Sequence, residues 1–172
     1  VQELRAENPH TVFAAAGDLI GASTFESFIQ QDKPTIDALN AAGLDVSAVG
    51  NHELDGGYHD LVDRVLGDFD PEANPYGGAE WEYVAANLTM RATGDDAVPA
   101  SYISSQGGVE IGFVGAVTED LPFLVSPSGI EDVEVTDIVE AANAEADALR
   151  AEGVDVVVLL VHEGATSSDC AN

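Results

Sequence analysis

"LDVSAVGNHELDGG", residues 44–57, runs from a short apolar stretch directly into a cluster of polar side chains. Its first half, with Val46 and Val49 among small residues, suits a strand buried on both faces. Its second half packs Asn51, His52, Glu53 and Asp55 into five positions between Gly50 and the Gly56-Gly57 pair. A strand that ends in an amide, an imidazole and two carboxylates delivers chemistry at its carboxyl end. In open α/β sheets that is the edge where ligands bind.

The same pattern recurs outward from this point. "TVFAAAG" (11–17), "EIGFVGAV" (110–117) and "VDVVVLLVH" (154–162) are further strand candidates. Between the first two strands, "FESFIQQDKPTIDALNAAG" carries helical spacing, with Pro34 suited to a first turn and Gly43 to a C-terminal cap. Residues 136–152 place Ile138, Ala142, Ala146 and Leu149 on one face, with Thr136 read as the N-cap and Gly153 closing the helix. "YISSQGGVEIGFV" reads as a hairpin around Gln106-Gly107-Gly108, and "WEYVAANL" as another strand. Segments 68–78 and 91–99 are loops by their Pro, Gly and Asp content. The expected fold class is α/β, with mixed β-sheets and flanking helices.

Composition narrows the partners. Among 172 residues, 32 Asp and Glu face 5 Lys and Arg, a formal net charge of -27. Such a chain repels polyanions, so nucleic acid is disfavoured as a partner and small cations are natural ones. No apolar run approaches roughly 18 residues, so no membrane insertion is expected. The single cysteine, Cys170, excludes an intrachain disulfide and a cysteine zinc site. The first residue is Val1, and the sequence breaks off just after an apolar strand, which reads as a piece of a longer protein.

Asp18 follows the first strand, Asn51 and His52 the second, and His162 ends the last. A carboxylate that can bridge two cations, a neutral carbonyl oxygen and an imidazole together suit zinc, manganese or iron(II). His10 and His59 read as a loop residue and an exposed residue of a helix's first turn. Asn87 heads a glycosylation-type triplet of the kind that is frequent by chance. Lys33, Arg64, Arg91 and Arg150 form no basic cluster. Trp81 reads as a packing residue.

"GDLIGAS" (17–23), "GNHELD" (50–55), "GVEIGFVGAVTEDLP" (108–122) and "VVVLLVHEG" (156–164), in that order, resemble the calcineurin-like metallophosphoesterases. The similarity is to the bacterial 5'-nucleotidase and 2',3'-cyclic-nucleotide phosphodiesterase branch. It implies a four-layer α-β-β-α sandwich and hydrolysis of nucleotide phosphate esters at a centre of two divalent metal ions. By the resemblance Asp18 bridges the two ions, and Asn51 and His162 bind the second. His52 contacts the phosphate and assists the leaving group, and Asp55 orients it. Glu53 receives no chemistry and reads as a structural loop carboxylate.

The resemblance also implies an Asp-x-His pair on an initial strand and a Gly-His-x-His motif near the end, neither of which occurs in this sequence. Residues 1–172 are therefore expected to be an incomplete catalytic domain, weak in metal binding and inactive alone. A C-terminal nucleotide-binding domain and an extracellular, periplasmic or cell-wall location are expected of the intact protein. Alternatives stay open at this level. They are a phosphoester or thiosulfate hydrolase of the same superfamily, a catalytically inactive scaffold domain that retains the sheet, or an acidic salt-adapted domain with no site.

Overall fold

In the computed structural model, which describes residues 1–165, the chain builds four layers from three sheets. Helix α1 (Gln2–Glu7) leads into strand β1 (Ala14–Ala15). Helices α2 (Phe25–Phe28) and α3 (Lys33–Ala42) follow, then strand β2 (Val46–Ala48). A 3-10 turn (His52–Leu54) and a π-helical turn (Asp60–Val65) precede β3 (Glu82–Val84) and β4 (Leu88–Met90). The second half holds β5 (Ser101–Gln106), β6 (Val109–Val117), α4 (Leu121–Leu124), β7 (Val133–Val135), α5 (Ile138–Glu152) and β8 (Val156–His162).

One sheet, in the order β1-β2-β3, is wholly parallel. A second, β5-β6-β8, is mixed: β5 and β6 form the antiparallel hairpin, and β8 runs parallel to β6 with Val117 opposite His162. The small pair β4-β7 is antiparallel. Strand alternation sorts the side chains into layers. Val46 and Val84 of the first sheet meet Phe113 of the second, with Ile111, Val158 and Leu160 packed beside them. The opposite face of the first sheet, through Tyr83, joins Ile36 and Leu39 of α3 in the largest apolar cluster. The opposite face of the second, through Val114 and Val157, meets Ala142 and Leu149 of α5. The order is α3, sheet, sheet, α5, which is the α-β-β-α arrangement.

Three local readings change. Residues 25–42 form two helices rather than one, because Gln31 and Asp32 take left-handed backbone (φ 50° and 62°) and break the helical path. Buried Asp32 stabilises that break by accepting from the Gly21 N–H (2.9 Å) and from the hydroxyls of Ser27 (2.9 Å) and Ser23. The N-cap of α5 is Asp137, which accepts from the Glu140 N–H at 2.7 Å, rather than Thr136. Thr136 instead gives its N–H to the Asn87 carbonyl at 2.8 Å. "WEYVAANL" contributes a strand to each of two sheets, with Asn87 between them.

Cys170 lies outside the described residues. Pro34, Gly43 and Gly153 stand where the sequence puts them, in the first turn of α3 and at the ends of α3 and α5. The β5–β6 turn uses Gly107 and Gly108 at φ 62° and 88°, a pairing that glycine adopts without steric cost.

Candidate active site at the strand ends

Strands β1 and β2 are parallel neighbours, so the loops after them open on the same edge of the first sheet. Strand β8 brings His162 to that edge from the second sheet. The loops after β1 and β2 touch backbone to backbone, and the His162 side chain closes on them. A Cβ on Gly17 would lie 2.7 Å from the Gly50 nitrogen and 3.0 Å from Nδ1 of His162, and one on Gly50 would lie 2.6 Å from the Asp18 nitrogen. Glycine at 17 and 50 is what lets the loops close to this distance.

Asp18, Asn51 and His162 converge. His162 Nε2 lies 3.1 Å from Asp18 Oδ2 and 3.2 Å from Asn51 Oδ1. Its other nitrogen, Nδ1, lies 2.8 Å from the Ala16 carbonyl oxygen, an atom that only accepts. Nδ1 therefore carries the hydrogen, and in the neutral ring the lone pair sits on Nε2, aimed at two oxygen acceptors. With the ring neutral, the three side chains are a set of electron-pair donors fitted to a cation, and the carbonyl fixes the imidazole tautomer that ligation needs.

Among the described residues no group of three or more His, Cys, Asp or Glu side chains could hold a metal ion. The set here is two such residues completed by an amide. Asp18 also adopts left-handed backbone (φ 55°), a conformation costly for a residue with a Cβ and concentrated at functional sites.

His52 stands beside this set. Its backbone N–H donates to Asp18 Oδ1 at 3.0 Å, and its ring Nδ1 pairs with Asp55 Oδ2 at 2.8 Å. That hydrogen bond keeps the ring charged to higher pH than a free imidazole, against the opposing effect of partial burial. The charges of Asp55, Asp18 and Glu53 add to it. The 3-10 turn supplies the spacing, because residues three apart in it lie on one side. A cavity of about 350 Å³ opens next to His52, lined also by Asp55, Phe28, Gln31 and Arg64. Arg64 is committed there to Asp60 (2.5 and 2.6 Å) and to the carbonyls of Gln31 and Tyr76.

Glu53 is a structural carboxylate, and a buried one. It is 1% exposed, and its oxygens accept the N–H groups of Asp18 (2.8 Å), Leu19 (2.7 Å) and Gly50 (2.7 Å) and the Tyr83 hydroxyl (3.1 Å). Burial pushes its carboxyl up in pKa, while those three amides pull it down. The Tyr83 hydroxyl is driven well above its ordinary value, chiefly by burial and then by the charge of Glu53. The only sequence signal for these roles is the strand alternation that turns Tyr83 toward the α3 side and the position of Glu53 inside the polar cluster.

The remaining candidates fall elsewhere. His59 is exposed and lies 3.1 Å from Asp132 and 3.4 Å from Asp63. His10 lies against Gly107 at the β5–β6 turn. Trp81 is buried edge-on against Tyr83. Asn87 is fully buried, its amide exchanging two hydrogen bonds with the Val117 backbone (2.8 and 2.9 Å), so its side chain is not presented as a glycan acceptor.

A crystal structure of the calcineurin-like phosphoesterase YfkN from Bacillus subtilis superposes with a TM-score of 0.73 at 28% identity, over 95% of this chain and 52% of that one. This is the fold of the calcineurin-like phosphoesterases. The chain is 37% identical to endonuclease YhcR of Bacillus subtilis over 167 residues, covering 96% of this chain and 14% of that protein. It is 26% identical to the 5'-nucleotidase of Mus musculus, covering 95% of this chain and 27% of that protein. Fold and relatives together set it on the 5'-nucleotidase branch of that superfamily. The chain thus spans only 14% and 27% of the length of these two relatives. No family model matches it.

Proposed function

We propose that the protein to which this chain belongs hydrolyses phosphate esters of nucleotides, as a 5'-nucleotidase or 2',3'-cyclic-nucleotide phosphodiesterase. The observation that carries this is the meeting of Asp18, Asn51 and His162 around one point, with the His52–Asp55 pair beside them. The name of the mouse 5'-nucleotidase supports the substrate class, whereas that of endonuclease YhcR points to nucleic acid. Two bound divalent ions, zinc, manganese or iron, would supply positive charge for the phosphate and lower the pKa of a water. Asp18 would serve both ions, and Asn51 and His162 would hold the second, with the other ligands coming from an Asp-x-His pair and a Gly-His-x-His motif elsewhere in the protein.

The chain's own residues do the rest. His52, whose protonated form Asp55 favours, donates a hydrogen bond from its Nε2 to a phosphoryl oxygen and then steadies the leaving oxygen. Asp55 fixes the ring, leaving Nε2 free to face substrate. The acidic surface makes this arrangement necessary, because 5 basic residues against 32 acidic ones leave little else to meet a phosphate. Residues 1–172 alone are inactive on this reading. A separate C-terminal domain selects the nucleoside, and the protein works outside the cytoplasm or at the cell wall.

The test is hydrolysis by the full-length protein of AMP, a 2',3'-cyclic nucleotide and a UDP-sugar, with manganese or zinc and with chelator. Metal-dependent turnover of the nucleotides is expected. No turnover of any of them, with metal bound, would count against the reading.

A further inference from the structure

We propose that Glu53 is the positioning residue of this site. Its buried carboxylate holds the loops after β1 and β2 at the separation at which Asp18, Asn51 and His52 work together. The inference rests on the reading of Asp18, Asn51 and His162 as a cation site, and adds a residue to which that reading gives no part.

A buried carboxylate costs free energy unless its oxygens are satisfied, and Glu53 is satisfied in a particular way. Oε2 takes the N–H of Asp18 and the N–H of Gly50, the residue before Asn51. Oε1 takes the N–H of Leu19 and the Tyr83 hydroxyl. All four partners are donors. They come from the β1 loop, the β2 loop and strand β3, so one side chain ties three segments together.

The tie is reciprocal: Glu53 holds the Asp18 backbone, while the Asp18 side chain holds the His52 backbone at 3.0 Å. A carboxylate that served only to satisfy the core would not need the backbone of the residue that faces His162. The left-handed backbone of Asp18 gives the clamp a task, since a conformation that is unfavourable alone persists only where its surroundings impose it.

Glu53→Gln keeps the volume and breaks the clamp. In one orientation its amide sets an NH2 group against the Asp18 and Gly50 N–H groups, and in the other against the Leu19 N–H, where the Tyr83 hydroxyl can turn to accept; either way at least one backbone donor loses its acceptor. Tyr83→Phe is the milder variant, removing one donor and leaving the three amides. The experiment is manganese binding to the full-length protein by titration calorimetry, paired with hydrogen exchange read by mass spectrometry on the metal-free protein.

Glu53→Gln is expected to weaken manganese binding about 10- to 100-fold, the range for residues that orient metal ligands. It should speed exchange in peptides covering 17–20 and 48–52 while leaving the β5–β6 hairpin unchanged. Tyr83→Phe should move both readouts in the same direction by less, and decides the matter if Glu53→Gln does not fold. Unaltered affinity and unaltered exchange at the two loops would overturn the proposal, as would exchange raised uniformly over the domain. If the unmodified protein takes up no manganese, the cation reading fails, whereas the exchange data still judge the clamp.

Discussion

At the scale of single residues the site divides its labour between side chains that differ by one or two positions. Asn51 faces His162, His52 faces the open cavity and Glu53 faces the protein interior. A tight turn makes this possible by sending consecutive side chains in different directions. The account predicts that His52→Asn lowers kcat of the full-length protein by about 10²- to 10⁴-fold, as for a lost proton donor. Metal affinity, measured by titration calorimetry, should stay within about threefold, because a positioned acid is not a ligand. Asp55→Asn removes the carboxylate that fixes the ring, and its kcat should fall about 10- to 100-fold with a smaller change in KM.

The gathering of Asp18, Asn51 and His162 was legible from residue type and order, because a strand followed by Asn-His and a strand ending in His place electron-pair donors at one sheet edge; the parts given to His52 and Asp55 came from the family resemblance. The part played by Glu53 was not. A carboxylate beside glycines reads as a structural loop residue, and nothing local says that donors from the β1 loop and from strand β3 close over it.

At the scale of elements, the connections are set by polar side chains that substitute for backbone partners. Asn87 bonds to both the N–H and the carbonyl of Val117, at the carboxyl end of β6, and to the Thr136 carbonyl at 3.2 Å. Asn87→Ala leaves the buried N–H and carbonyl of Val117 without these partners, and we expect a loss of about 3 kcal/mol at roughly 1–3 kcal/mol per group, read by urea denaturation. Asp137→Ala removes the cap of α5 and should cost about 1 kcal/mol in the same assay. Strand and helix types followed from hydrophobic spacing, which is a local property. The break at Gln31–Asp32 and the cap at Asp137 did not, since both depend on side chains folding back on backbone atoms whose positions tertiary packing sets.

At the scale of the whole molecule, the site exists only because two sheets pack face to face. His162 lies 146 residues from the Ala16 carbonyl that sets its tautomer and 111 residues from Asn51. Val46, Val84 and Phe113 between the sheets bring β8 to the ends of β1 and β2. Sequence order could suggest that the three strands share an edge; the facing of Nε2 toward two oxygens needed the packed fold. The central claim is that this meeting point holds a cation, and manganese titration of the full-length protein tests it most directly, comparing the unmodified protein with His162→Ala and Asp18→Ala. The account predicts tight binding in the unmodified protein and loss of at least one equivalent of manganese in each variant. Equal stoichiometry and affinity in all three proteins would contradict it.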